Sequence, residues 1–134
     1  MKAFETITID KKDYNLKFTM GEMVKLEAKL GTDLLTGMEK LTAATTLAEY
    51  YFAALKPWND SITNIEDVYQ LFDDYITGGG NYEELHQKMV EVLVLSGIMS
   101  QKAYEILQKT LAKQQAALEK LITENGEADL SVLS

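Results

Sequence analysis

The sequence is short of the residue types on which most catalytic and metal sites depend. It contains no cysteine, no arginine and a single histidine. Disulfides, thiolate nucleophiles and cysteine zinc sites are therefore excluded, as are the two-pronged phosphate contacts that guanidinium groups make. His86 by itself leaves a Ser-His-Asp triad or a two-histidine metal site without the parts it needs. Because it lies on the polar side of a predicted helix, we interpret His86 as a surface residue.

Positive charge is also scarce, and negative charge is concentrated in the middle of the chain. The formal net charge is −8, and residues 61–99 contain seven acidic residues but one lysine. A protein that binds nucleic acid needs a basic footprint, so we predict no nucleic-acid partner. No apolar run approaches the about 20 residues that a bilayer requires, and the first residues are charged. We therefore expect neither a membrane span nor a signal peptide.

The centre of the core is predicted to be a helix within residues 82–99. Apolar residues recur there at helical spacing, and the second half of the stretch carries no charge. Asn81 and Glu84 fit a capping box at its start, and Gly97 fits a stop at its end. A buried strand over residues 90–95 is the alternative, because a short β-branched run has no distinctive period. The capping residues favour the helix.

The remaining pattern predicts a fold that is mainly α with a small N-terminal β-hairpin, an α+β protein. Apolar residues alternate with polar ones on either side of a turn at residues 10–13, and they predict one buried hairpin face: Ile7, Ile9, Tyr14, Leu16 and Phe18. Helical patterns follow, and we expect one compact domain over residues 1–99. The free edge of the hairpin leaves self-association by strand pairing open.

Three local signals predict where these helices end or begin. Pro57 is expected to end one helix by restricting Lys56 away from helical angles. Thr63 with Glu66 fits a capping box for the next helix. The three glycines at residues 78–80 lack the lysine and hydroxyl residue of a phosphate-binding loop, so we predict a flexible connector there.

The last third of the sequence predicts an amphipathic helix over residues 100–123 and a flexible tail over residues 124–134. Its candidate protein-binding residues form one apolar stripe, with a heptad spacing: Tyr104, Leu107, Leu111, Leu118 and Leu121. Gln114 interrupts the stripe, and three heptads are too few to establish a coiled coil. The helix either packs back on residues 1–99 or projects as an arm that docks on a partner. The sequence leaves both open.

Paired acids are the other candidates for chemistry. Asp73 and Asp74 are adjacent, as are Glu83 and Glu84, and adjacent residues on a helix point in different directions. The oxygen-rich loop spacing of a calcium site is missing. We interpret these acids as a solvated face, and we predict no metal, no cofactor, no catalytic residue and no enzymatic activity.

Several segments, taken in order, resemble the tail assembly chaperones of long-tailed, siphovirus-type bacteriophages and prophages. The segments are ITID at residues 7–10, YNLKFT at 14–19, LEAKLG at 26–31, LKP at 55–57, TNIEDV at 63–68 and SG at 96–97. They fall within about residues 4–99, and the family has no catalytic motif to match.

The resemblance implies a small helical protein that binds the long tape-measure protein and keeps it in solution. It also implies recruitment of tail-tube subunits, a place in the cytoplasm of the bacterial host and absence from the finished virion. Many members have a longer, frameshifted form, and this chain looks like the short one. The alternative is an acidic helical adaptor or regulator that binds another protein without any phage context. A long coiled-coil-rich gene beside this one is expected only for the chaperone.

Overall fold

The structure is a computed structural model that describes the main chain of residues 2–133 and the side chains of residues 2–121. The chain divides into two compact units, Met1–Met99 and Ser100–Ser134. The tail predicted at residues 124–134 lies outside the residues whose side chains are described, and its flexibility stays a prediction.

The predicted fold class is confirmed, because a two-stranded antiparallel hairpin is followed by helices. The first unit contains β1 (Glu5–Ile9), β2 (Lys12–Leu16), α1 (Met20–Leu30), α2 (Leu34–Gly37), a 3₁₀ turn (Met38–Lys40), α3 (Ala44–Leu55), α4 (Ile65–Thr77) and α5 (Tyr82–Leu95). The second unit is the helix α6 (Gln101–Leu133). Among the described residues, none of the helices has both the length and the apolar character needed to cross a bilayer.

The hairpin turn is tighter than its sequence suggests. Ile9 pairs with Lys12, so the turn is only Asp10 and Lys11, which have φ angles of 52° and 65°. Two successive positive φ angles are typical of a type I′ turn, whose twist matches that of the flanking strands. The predicted buried face is confirmed, because all five of its apolar side chains are buried.

The loop after α3 fastens the outer edge of β2 to the helices. The carboxamide of Asn59 donates to the carbonyl of Asn15 at 2.8 Å and accepts from its amide at 3.3 Å. The indole of Trp58 donates to the carbonyl of Lys17 at 2.9 Å, and the Lys17 amide donates to the carbonyl of Ala54 at 3.2 Å. The hairpin is therefore held against the helical layer by main-chain hydrogen bonds as well as by its apolar face.

The central helix is confirmed as α5, with both of its predicted end signals. Asn81 and Glu84 form a reciprocal capping box, which satisfies main-chain donors at the helix start. At the other end Gly97 has a φ of 81°, a left-handed angle that suits glycine. The Ile98 amide reaches back to the carbonyl of Leu93 at 2.9 Å, completing a Schellman motif. The helix ends at Leu95, so residues 96–99 form this closing turn.

Side chains of α3 connect the central layer to its neighbours. Tyr50 donates a hydrogen bond to the carbonyl of Leu34 at 2.7 Å, and Tyr51 donates to the carbonyl of Leu85 at 2.6 Å. The buried face of this helix includes Leu47, Tyr50, Tyr51, Ala54 and Leu55. Each tyrosine hydroxyl thus finds a partner inside the core, as a buried polar group requires.

The end of α3 lies where it was predicted but for a different reason, and the start of α4 lies one residue from its predicted position. Lys56 adopts helical angles (φ −53°, ψ −44°) although Pro57 follows. The chain then continues in a turn in which the Asn59 carboxamide donates a hydrogen bond to the carbonyl of Leu55 at 2.8 Å. The next helix is capped one residue later than predicted, since Asn64 and Asp67 form the capping box. Hydrogen bonds to the hairpin stabilise the turn after α3. At the start of α4, the overlapping motif of Asn64 and Asp67 forms the cap in place of the predicted one.

Candidate protein-binding surfaces

The α6 stripe, defined as the five predicted binding residues on the second unit, is largely exposed. Leu111, Leu118 and Leu121 keep 45%, 58% and 55% of their surface accessible. Tyr104 and Leu107, nearer the start of the helix, are half-buried. Ser100 caps the helix by accepting a hydrogen bond from the Ala103 amide at 3.0 Å. The helix therefore carries exposed apolar side chains at heptad spacing.

The opposite face of α6 carries lysines. At 3.6 residues per turn, these lysines fall about half a turn away from the α6 stripe: Lys102, Lys109, Lys113 and Lys120. Residues 101–121 contain these four lysines and two glutamates, so this part of the helix is locally cationic in an acidic chain. Ile106, which the stripe does not include, is also exposed. A partner that covers the stripe would leave the lysines in water.

A second exposed apolar surface lies on α4, and the heptad reasoning did not point to it. Ile65, Tyr69, Phe72 and Ile76 fall at i, i+4, i+7 and i+11 along the helix. Tyr69 and Ile76 are 46% and 49% exposed, whereas Phe72 is half-buried with its ring edge-on to Tyr51 at 5.0 Å. The apolar side of α4 therefore extends beyond the part that packs against the core. The spacing of its apolar residues could have indicated this exposed surface.

An acidic notch, a cavity of about 250 Å³, lies where the hairpin meets the end of α4 and the start of α5. It brings Asp10, Asp74 and Glu84 together with Tyr75, whose hydroxyl donates to Glu84 at 3.2 Å. Burial, and then the charge of Glu84, raise the pKa of Tyr75. Sequence reasoning missed the notch because its carboxylates are far apart in the chain.

The three glycines beside the notch form a closed turn in place of the flexible connector that was predicted. The Gly79 amide donates to the carbonyl of Ile76 at 3.1 Å, and the Gly80 amide donates to the carbonyl of Tyr75 at 3.0 Å. A Cβ atom on Gly80 would lie 2.2 Å from the Tyr75 ring. The glycines are thus explained by a tight helix end that packs against an aromatic ring.

A groove of about 340 Å³ between α1 and α3 combines an apolar floor with a mixed-charge rim. Leu26 and Phe52 line it, and Lys29 crosses it to pair with Glu49 at 3.1 Å. Lys56 lies over the Phe52 ring at 5.5 Å. Because its charges already pair within the groove, this surface offers a partner less than the exposed stripe does.

His86 is half-buried on α5, so it is more covered than the predicted surface position implies. Burial lowers its pKa below the usual value of 6.5. The unfolded chain therefore binds a proton at a higher pH than the folded protein does. The free energy of unfolding should fall as the pH falls through 6.5 towards the lowered pKa of the folded state.

We expect His86→Gln to remove this part of the pH dependence. Urea denaturation at about pH 7.5 and about pH 5.5 measures it, because the histidine titrates between these values while most carboxylates stay ionised. The variant should lose less stability between the two pH values than the natural protein. Equal losses in both proteins would show that other groups cause the acid sensitivity.

No group of three or more His, Asp or Glu side chains placed to hold a metal ion occurs among the described residues. The adjacent acids of α4 and α5 are exposed, as a solvated face requires. Comparison of the chain with models of known protein families, with curated proteins and with solved structures finds no match.

Proposed function

We propose that this protein is a phage tail assembly chaperone that acts in the cytoplasm of the bacterial host and does not become part of the virion. It binds the tape-measure protein, keeps that protein in solution and helps to recruit tail-tube subunits. It makes and breaks no covalent bond. The resemblance of residues 4–99 to this family suggests the client, and the α6 stripe supplies a surface on which a client could be held.

The observation that carries the proposal is the exposure of large apolar side chains along one side of α6. Leu111, Leu118 and Leu121 are about half exposed, and contiguous exposed apolar surface is typical of a protein-binding site. A client that forms helices can lay its own apolar side on this stripe, in the way that amphipathic helices pack against each other. Each leucine is already about half covered, so its complete burial contributes about 1–1.5 kcal/mol before the costs of association.

The charge of the protein fits the same role. A net charge of −8 favours dispersion of a complex whose client is apolar. On α6 the lysines lie away from the stripe, so a bound client leaves them hydrated. The exposed leucines of the helix can thus be covered by a client while its lysines remain in contact with water.

Leu111→Glu and Leu118→Glu are the variants that test this mechanism. A glutamate in the stripe would be buried without a partner when the client docks, which costs far more than the apolar contact that it replaces. The chaperone should be coexpressed with the tape-measure protein of its own gene cluster. We expect the soluble fraction of the tape-measure protein to fall strongly with either variant.

Ala116→Glu provides the matched control. It adds the same charge to the same helix at an exposed position off the stripe. It should keep the client soluble, whereas full solubility with both leucine variants would remove α6 from the mechanism. Absence of any effect of the natural protein on the tape-measure protein would favour the adaptor or regulator instead.

A further inference from the structure

The two outer edges of the hairpin differ. On β2, the outward main-chain groups of Asn15 bond to the carboxamide of Asn59. Those of Lys17 bond to the carbonyl of Ala54 and the indole of Trp58. Hydrogen bonds from within the same unit therefore occupy this edge at Asn15 and at Lys17, and among the described residues only Asp13, next to the turn, is left without one.

The outer edge of β1 is open. Ile9 and Lys12 flank a two-residue turn, so they form a hydrogen-bonded pair, and the pairs then alternate along the ladder. Thr6 and Thr8 must direct their main-chain N–H and C=O groups away from β2. Among the described residues, none provides a partner for these main-chain groups. Their hydroxyls bond across the exposed face, to the side chains of Asn15 and Asp13.

β1 contains no lysine, no proline and no bulge, and its one charged residue, Glu5, lies at the end away from the acidic notch and pairs with Lys2 and Lys88. Natural edge strands are commonly guarded by lysine, proline or a bulge. Residues 5–9 read ETITI, and their register with β2 is regular. The strand therefore offers its main chain in the geometry that an added strand requires.

The acidic notch lies at the Ile9 end of the same strand. Thr8 and Ile9 line it together with the carboxylates of Asp10, Asp74 and Glu84, and no lysine is among its lining residues. The ion pairs of the described residues include none of these three carboxylates. A cationic side chain entering the notch would thus meet several acceptors that lack a counter-charge.

We propose that β1 receives an extended segment of a partner protein as a third strand, and that this segment carries a lysine or arginine which enters the acidic notch. In strand addition, main-chain hydrogen bonds provide affinity, and a pocket for particular side chains provides specificity. The open edge accounts for the first. The carboxylates account for the second, since they lack a counter-charge although Asp74 and Glu84 already accept hydrogen bonds from neutral groups.

A second copy of this chain fits the edge less well. Each copy carries a net charge of −8, and the β1 strand of another copy has no lysine or arginine between Glu5 and Ile9. Pairing two copies would bring together surfaces of the same sign. The inferred site does not rest on the phage client, because it lies on the hairpin and recognises an extended segment rather than a helix.

The test uses the full chain and two short blocked peptides, KVTVKVT and EVTVEVT. Amide hydrogen exchange, followed residue by residue by NMR, should show slower exchange at Thr6 and Thr8 when the lysine peptide is added. An amide that exchanges only from the free protein should exchange about tenfold more slowly when the peptide is present at about ten times its dissociation constant. The glutamate peptide should bind more weakly.

Two pairs of variants locate the peptide. Thr6→Pro removes an outward donor without removing a β1–β2 hydrogen bond and should weaken binding by about tenfold, whereas Thr6→Val keeps the donor and should change it little. Asp74→Asn should weaken binding by about threefold or more, whereas Asp73→Asn removes the same charge outside the notch and should not.

Four results would overturn the inference. They are unchanged exchange at Thr6 and Thr8 with millimolar lysine peptide, equal affinity for the two peptides, equal effects of the two aspartate variants, and a dimer in which these amides are already protected. The last result would assign the edge to a second copy. None of these results depends on whether α6 holds a tape-measure protein, so the two proposals can fail separately.

Discussion

Truncation of Leu93 to alanine is expected to lower the free energy of unfolding by about 2–5 kcal/mol. Leu93 lies on the central helix α5 and is 0% exposed. Removing most of its side chain leaves a cavity among neighbours that also pack against other helices, so relaxation can fill only part of it. Urea denaturation of the full chain, followed by circular dichroism, measures the loss.

Leu118→Ala is the matched comparison, since it makes the same chemical change on the exposed stripe of α6. We expect a change within about 0.5 kcal/mol, because the side chain has little buried surface to lose. If this variant were as damaging as Leu93→Ala, the stripe would be part of a core in solution. It would then not be free to hold a client, and the proposed mechanism would fail at this site.

Gly37→Ala is expected to lower the free energy of unfolding by about 1–3 kcal/mol, although alanine favours helices. The backbone of Gly37 is ordinary for a helix, with φ of −63° and ψ of −20°. The difficulty is space, because an added Cβ would lie 2.5 Å from the hydroxyl oxygen of Tyr50. That hydroxyl donates to the carbonyl of Leu34, and a displaced tyrosine would leave a buried acceptor unpaired.

Gly21→Ala tests whether crowding is the cause. On α1, a Cβ atom at Gly21 meets nothing within 4 Å, and alanine should stabilise the helix by about 0.5–1 kcal/mol. The same substitution is thus expected to have opposite signs at two helical positions. If both substitutions stabilised the protein in urea denaturation, a Cβ atom at residue 37 could be accommodated without loss of the Tyr50 hydrogen bond, and the crowding explanation would be wrong. Burial raises the pKa of Tyr50 to about 12, so its hydroxyl remains protonated in such experiments.

Features that depend on neighbouring residues could be predicted from the sequence. The capping box of Asn81 and Glu84 and the cap of Thr19 on the Glu22 amide involve residues three apart, and both are present. Gly31, with φ of 75°, ends α1 in the left-handed conformation that suits glycine. These features set the order of elements, and with the apolar periodicity they define the fold class.

Features that depend on distant contacts could not be predicted in this way. Lys56 keeps helical angles although Pro57 follows it. The turn that contains Lys56 is held in place by hydrogen bonds from Trp58 and Asn59 to the hairpin. The start of α4 was misplaced because two overlapping motifs, each with a polar cap and an acid three residues later, fit the same stretch. Only the position of the buried face decides between such motifs.

The candidate sites also differ in whether neighbouring or distant residues form them. Heptad spacing was enough to single out the α6 stripe, but spacing does not tell whether such a stripe is covered. The acidic notch gathers carboxylates that are more than sixty residues apart, Asp10 and Asp74, and no local motif predicts their meeting. The open edge of β1 becomes visible only when the register and the hydrogen bonds of both strands are known.

The bond between the Trp58 indole and the carbonyl of Lys17 has a practical consequence for the study of this chain. Trp58 is its only tryptophan, and its ring also lies edge-on to Phe4 at 4.8 Å. The intrinsic fluorescence of Trp58 therefore reports whether the hairpin is packed against the helices. Release of the hairpin would change the fluorescence emission while the far-ultraviolet circular dichroism of the helices stays the same. The protein thus contains its own optical probe for the detachment of the hairpin.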